Sequence, residues 1–175
     1  LTTEAGQEFV QKLVQQDHVM YVHLAPTCGT YTRAREIPIA QWKLDLWPGM
    51  PNPQPLRTDE FPAGLPPENM SRTDAIKVQK GNIITDFCAK ITQHCIDNDK
   101  LFSIENPTRS IIWEMIDMKK IIANHTVETA NFAACMWGSG RDKKTSFLTN
   151  SKELESLRKE CTHQKWEHKA WGMCW

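Results

Sequence analysis

Tyr21-Val22-His23-Leu24-Ala25-Pro26-Thr27-Cys28-Gly29-Thr30-Tyr31-Thr32-Arg33-Ala34-Arg35 is the stretch whose reading decides the fold. Apolar residues alternate with others from Val19 to Leu24, which predicts a strand, and Pro26 and Gly29 end it abruptly. Cys28 is thereby presented on the turn at the strand's carboxyl end, the edge of an open α/β sheet where ligands usually bind. Arg33 and Arg35 follow closely, and an electropositive neighbourhood favours the thiolate, the nucleophilic form of cysteine. The alternative is a buried, inert cysteine in a Pro/Gly loop, since free cysteine is among the most buried residue types.

Working outward from this strand, Phe9, Leu13 and Val14 fall at helical spacing behind Thr3, a suitable N-cap, so a short helix over 3–16 leads into it. Downstream, the segment 36–69 holds every one of the ten prolines except Pro26 and Pro107. A long irregular loop inside a domain is uncommon and is often a lid or a binding loop. Trp42, Trp47 and Phe61 are its natural anchors to the core. Ser71 or Thr73 can cap a helix reaching about Cys95, whose apolar face is Ala75, Val78, Ile83, Ile84, Phe87, Cys88 and Ile91, with Gly81 weakening its middle. Leu101-Phe102-Ser103-Ile104 reads as a second strand running straight into Glu105-Asn106-Pro107, and Thr108 to Ile122 as a helix with Ile111, Ile112, Met115, Ile116 and Met118 mostly inward. Thr126 to Trp137 looks extended, Gly138-Ser139-Gly140 turns the chain, and Thr145 to Thr149 is a last strand. Asn150 to Glu153 resembles a capping box that opens a polar helix to Glu160. This order predicts an α/β fold, with a mostly parallel sheet and an antiparallel edge strand.

The 175 residues suit one domain. Residues 1–150, including the proline-rich loop 36–69, read as its core, and 151–175 as a polar helix and a Cys/His/Trp-rich tail. With 21 Lys+Arg against 21 Asp+Glu there is no global basic field, so nucleic-acid binding must come from local patches. The six cysteines form no C-x-x-C pair, and no apolar run reaches transmembrane length. A reducing intracellular compartment, nuclear or cytoplasmic, with no membrane partner, is the simpler inference. A first residue of Leu rather than Met suggests a fragment or a piece of a longer polyprotein.

Two strand ends are thus expected at one edge of one sheet, the first carrying Cys28 and the second Glu105-Asn106-Pro107. If the strands are neighbours, a nucleophile and a carboxylate flank a single cleft, the minimal equipment for covalent catalysis on a polarised ring. At these residues the chain resembles the cytosine-5 DNA methyltransferases, in particular the compact versions carried by phages and mobile elements. Ala25-Pro26-Thr27-Cys28-Gly29-Thr30-Tyr31-Thr32-Arg33 is similar to the family's Pro-Cys nucleophile loop. Ser103-Ile104-Glu105-Asn106-Pro107 is similar to its Glu-Asn motif. Cys135-Met136-Trp137-Gly138 through Arg141-Asp142-Lys143-Lys144-Thr145 to Asn150 is similar to its late aromatic-Gly turn and basic strand.

The resemblance implies the C-terminal part of a partial Rossmann-like methyltransferase sheet, a DNA partner, and S-adenosylmethionine as methyl donor. It implies that the Cys28 thiolate attacks C6 of a cytosine extruded from the duplex and that Glu105 holds the ring at N3 and its exocyclic amine. Pro26, Arg33, Arg35, Asn106, Pro107 and Lys143 would complete the substrate site, Lys143 standing where the family has an arginine on the cytosine O2. The chain departs from the family at Thr27, where the family has the proline before its nucleophile, at Gly29 in place of a glutamine, and at Thr145 in place of a late arginine. No Gly-rich loop comparable to the family's cofactor loop occurs, so no cofactor-binding residue is assigned, and the chain resembles the catalytic half of a methyltransferase core without most of the cofactor half, which in the family lies on earlier strands.

The tail from Cys161 to Cys174 holds zinc-ligand residue types, yet their spacing matches no common finger or knuckle, and no metal site is expected there. Two rival readings stand beside the methyltransferase. One is a catalytically inactive relic that binds nucleic acid or protein through the same cleft. The other is a cysteine hydrolase using His23, His94 or His125, which ranks last because His23 precedes the turn on a strand and is poorly placed for a hydrogen bond to the Cys28 sulfur.

Overall fold

Four strands make one sheet in the order β1-β2-β4-β3 in a computed structural model that describes residues 1–169. They are β1 (Tyr21–Leu24), β2 (Leu101–Pro107), β3 (Glu128–Ala133) and β4 (Lys144–Thr149). β1 and β2 are parallel, with Leu24 beside Ile104, while β4 runs antiparallel to both β2 and β3. The sheet is therefore mostly antiparallel with one parallel pair, which corrects the expected mostly parallel sheet. Helical crossovers join β1 to β2 and β2 to β3, so these three strands point the same way, but only β1 and β2 lie side by side as a parallel pair. β3 and β4 are linked by a short turn, and β4 inserts between β2 and β3, so it contributes two antiparallel ladders. The antiparallel strand was expected at an edge; β4 is instead interior, and the edges are β1 and β3.

Helices α1 (Glu4–Val14), α3 (Arg72–Asp97) and α4 (Ile116–Ile122) pack in one apolar core with Phe102, Ile104 and Leu148 of the sheet. A short α2 (Gln41–Leu46) and a 3-10 turn (Pro67–Asn69) interrupt the proline-rich loop. The expected caps form: Thr3 accepts from the Gly6 N–H at 3.4 Å and Ser71 from the Asp74 N–H at 3.1 Å. Along α1, Val14 is buried, whereas Phe9 and Leu13 face outward. The helix expected over 108–122 is split into a 3-10 turn (Ile111–Glu114) and α4 around an extended Met115 with ψ 139°. That break turns Ile116 outward, leaving it 71% exposed, and brings Ile121 in beside Met118. The expected polar helix after residue 150 is only a 3-10 segment (Lys152–Leu157). Asn150 does not cap it, because its amide pairs with the β2 backbone, accepting from Phe102 N at 2.8 Å and donating to Lys100 O at 2.9 Å. No helix among the described residues is long and apolar enough to cross a membrane.

Lys100 fastens the start of β2 to the end of α1. Its buried ammonium donates to Val14 O, Gln16 O and Val19 O at 2.9, 2.8 and 3.0 Å, a cation set against helix-end carbonyls. Lys100→Met keeps the apolar stem and removes all three donors. Urea unfolding of this variant is expected to show a stability loss of about 2 kcal/mol with an unchanged slope.

Candidate active site

The parallel pairing of β1 with β2 brings the two expected strand ends to one edge. Beyond Leu24 and Ile104 the chains are tied side chain to backbone: the buried Asn106 donates from Nδ2 to Pro26 O at 2.9 Å. Cys28 lies two residues past Pro26 and Glu105 one residue before Asn106, so this bond fixes the spacing of the turn that carries the sulfur against the strand that carries the carboxylate. Cys28 is half-buried, and its carbonyl accepts from Tyr31 N at 2.9 Å. Ile111 N then donates to Tyr31 O at 3.0 Å, which attaches the turn to the 3-10 segment after β2.

Glu105 projects from the sheet face opposite the helices. There Lys143 Nζ donates to its Oε1 at 2.8 Å. Its cross-strand neighbour Phe147 meets His23 and Phe132 edge-on, with ring centroids 5.6 and 5.1 Å apart. Carboxylate, ammonium and aromatic edges thus share one sheet face, and the strand that carries the carboxylate is tied near its end to the Cys28 turn. Such a set can hydrogen-bond the rim of a flat polar heterocycle.

The other expected site residues are placed differently. Pro26 and Asn106 are buried and position the turn; the Asn106 Oδ1 is buried without a hydrogen-bond partner among the described residues. Pro107 is the last residue of β2 rather than the start of a helix, and its carbonyl accepts from Ser110 N at 2.9 Å and Trp113 Nε1 at 3.0 Å. Arg33 donates to Arg109 O at 3.1 Å and pairs with Glu36 and Asp59, while Arg35 donates to Gly29 O at 3.2 Å and Gln54 O at 3.1 Å. Both arginines therefore clamp the Cys28 turn to the proline-rich loop.

Arg57 is the residue that sequence reasoning missed. Only 1% exposed, it joins the loop, α3 and the Cys28 turn by donating to Pro62 O, Asn82 Oδ1, Val78 O and Thr30 Oγ1. Its guanidinium lies 3.7 Å from the centre of the Tyr31 ring. Burial lowers its pKa from the ordinary arginine range, opposed by the Tyr31 and Asp86 charges. Gly81 is part of the same contact: a Cβ there would come within 3.0 Å of both Arg57 Nη2 and Thr30 Oγ1, so the glycine that weakens α3 admits the loop's anchor.

The imidazoles of the hydrolase reading are engaged elsewhere. His23 Nδ1 is 2.7 Å from Ser103 Oγ, and His94 pairs with Asn98 at the end of α3. His125 lines a cleft of about 490 Å³ with Ile96, Asp99 and Leu101, at the opposite end of β2 from Glu105.

Set against family models, curated proteins and solved structures, the chain matches none. The functional reading accordingly stands on the site's own chemistry. The turns after β1 and β2 hold no Gly-rich loop of the kind that receives a nucleotide-like cofactor, so no residue is assigned to S-adenosylmethionine and no step below is routed through it.

Proposed function

We propose that the chain carries the cytosine-activating part of a cytosine-5 DNA methyltransferase built on a Rossmann-like sheet. The observation that supports this most is the bond from Asn106 to Pro26 O, which ties the turn that carries Cys28 to the strand that carries the Glu105–Lys143 pair. In the reaction, the Cys28 thiolate adds to C6 of an extruded cytosine, the C5–C6 double bond opens, and the electron pair moves to C5. Glu105 holds N3 and the exocyclic amine, so the ring can take a proton at N3 as charge builds up. Lys143 neutralises Glu105 before the base arrives and is placed to turn to the ring's O2 afterwards. The addition is reversible: the pair at C5 returns, the C5–C6 double bond re-forms and the sulfur leaves. The methyl group belongs to S-adenosylmethionine by the family resemblance.

The addition step is testable without that donor. A duplex carrying 2-pyrimidinone at the target position accepts a thiolate at C6 and retains it, so incubation with the full chain is expected to give a covalent band stable to denaturing electrophoresis. Glu105→Gln keeps the shape but not the charge at N3, and is expected to slow adduct formation about 100-fold. DNA binding with no adduct on any probe would instead select the reading of an inactive binding relic. No binding and no adduct would overturn both.

A further inference from the structure

The segment after β4 has little of its own to hold it in place. From 152 to 169 no residue is fully buried, and regular structure is limited to the 3-10 segments Lys152–Leu157 and Lys165–Glu167. The segment nevertheless folds back along β3. Ala133 N donates to Lys159 O at 2.8 Å, Trp137 Nε1 to Leu157 O at 3.1 Å, and Lys169 N to Gly140 O at 2.7 Å. Where it folds back, four soft ligands converge. Cys135, buried in the 3-10 turn (Ala134–Trp137) after β3, meets Cys161, His163 and His168, and one ligand atom from each lies within 4.8 Å of all the others.

We propose that Cys135, Cys161, His163 and His168 form a tetrahedral Zn²⁺ site that clips the tail onto the turn after β3. Two sulfurs and two imidazole nitrogens are a donor set that selects zinc over harder cations. Zinc–sulfur and zinc–nitrogen bonds of ordinary length, set tetrahedrally, separate sulfur from nitrogen by about 3.6 Å. Cys161 Sγ lies 3.7 Å from His163 Nδ1 and 3.3 Å from His168 Nε2. The two imidazole planes are inclined at 76°, so the rings approach from different directions. A second observation points the same way. Asp142 lines the same cleft of about 500 Å³ as Cys161, His163 and His168, and its Oδ1 is buried with no hydrogen-bond partner among the described residues. A dication at the cluster would set positive charge near a carboxylate oxygen that has no hydrogen-bond partner among the described residues. On binding, each thiol releases its proton to solvent and both imidazoles coordinate as neutral rings.

The clip has a consequence for the neighbouring turn. Ala134 N, next to Cys135, donates to Lys143 O at 2.9 Å, so fixing Cys135 steadies the loop that delivers Lys143 to Glu105. The metal site itself does not depend on the cytosine reading, because it rests only on its four ligands and their surroundings.

Full-length protein purified without chelator is expected to contain about one zinc per chain by elemental mass spectrometry. After the metal is stripped, titration with Co²⁺ is expected to give thiolate-to-cobalt charge-transfer absorption and intense tetrahedral ligand-field bands that Zn²⁺ displaces. Cys161→Ser and His168→Asn are each expected to weaken Co²⁺ binding by more than about 100-fold, and His125→Asn, outside the cluster, to leave it unchanged. The intact-chain measurement stands even if a ligand variant fails to fold. Absence of both zinc and tetrahedral bands, bands indifferent to the two ligand substitutions, or a Cys135–Cys161 disulfide without metal would each overturn the proposal.

Discussion

Cys28→Ala is expected to abolish the covalent complex with 2-pyrimidinone DNA, leaving nothing detectable on a denaturing gel, while the variant still folds. The chemical half of this expectation follows from where the thiols lie. Burial pushes the Cys88 thiol up to about 12, and burial also raises Cys95 despite the opposing charge of Lys100. Both are enclosed in α3 beneath the sheet, protonated at neutral pH, and out of reach of a nucleic-acid base. Cys135 and Cys161 belong to the cluster at the tail. Among the described cysteines only Cys28 stands on the turn tied to the end of β2, so no other described sulfur can substitute for it. The structural half rests on the backbone. The turn is held by Tyr31 N on Cys28 O and by Arg57 on Thr30, neither of which involves the sulfur. Thermal unfolding of Cys28→Ala should therefore stay within about 1 kcal/mol of the parent. An adduct that persists in this variant would assign the nucleophile elsewhere and remove the basis for the proposed function.

The strand-turn-strand logic at the core of this site was legible in the sequence because it is local. Alternation up to Leu24, a break at Pro26 and Gly29, and a second apolar run into Glu105 suffice to place two strand ends, and the helical crossover between them forces parallel pairing. Strand order was not legible, because the insertion of β4 beside β2 is decided by long-range pairing such as Glu105 with Phe147, for which periodicity carries no signal. The same holds for side chains whose partners lie far along the chain. Arg33 and Arg35 read as members of the substrate site, yet they donate to carbonyls and carboxylates of the proline-rich loop and its surroundings. Asn106 reads as a substrate contact and is instead the bolt between strands. The tail showed zinc-type residues at no familiar spacing, because one member of the cluster, Cys135, comes from the far side of β4, while Cys174 lies outside the described residues. In each case the residue type was visible and its partner was not.

Arg57→Leu is the substitution expected to cost the fold most, about 3–5 kcal/mol, and to do so by releasing the proline-rich loop from the Cys28 turn. The guanidinium is nearly inaccessible, and it serves four acceptors on three separate elements: Pro62 O at 2.6 Å, Asn82 Oδ1 at 2.7 Å, Val78 O at 3.0 Å and Thr30 Oγ1 at 3.2 Å. Leucine satisfies none of them and leaves a gap against Tyr31, whose hydroxyl is already committed to Asn82 and Thr85. Val78 and Asn82 can relax into α3, but Thr30 and Pro62 have no replacement donor within the contact, so the loop is expected to detach before α3 melts. Arg57→Lys separates charge from geometry. A lysine retains the cation but cannot reach four acceptors in divergent directions, and it is expected to recover less than half of the loss. Chemical denaturation reads the stability change, and limited proteolysis between residues 36 and 69 reads the loop. Cleavage in this loop at unchanged global stability would locate the effect in the loop alone. A variant as stable and as protease-resistant as the parent would show that the arginine is a passenger and that the turn bearing Cys28 is held by β1 and β2 without it.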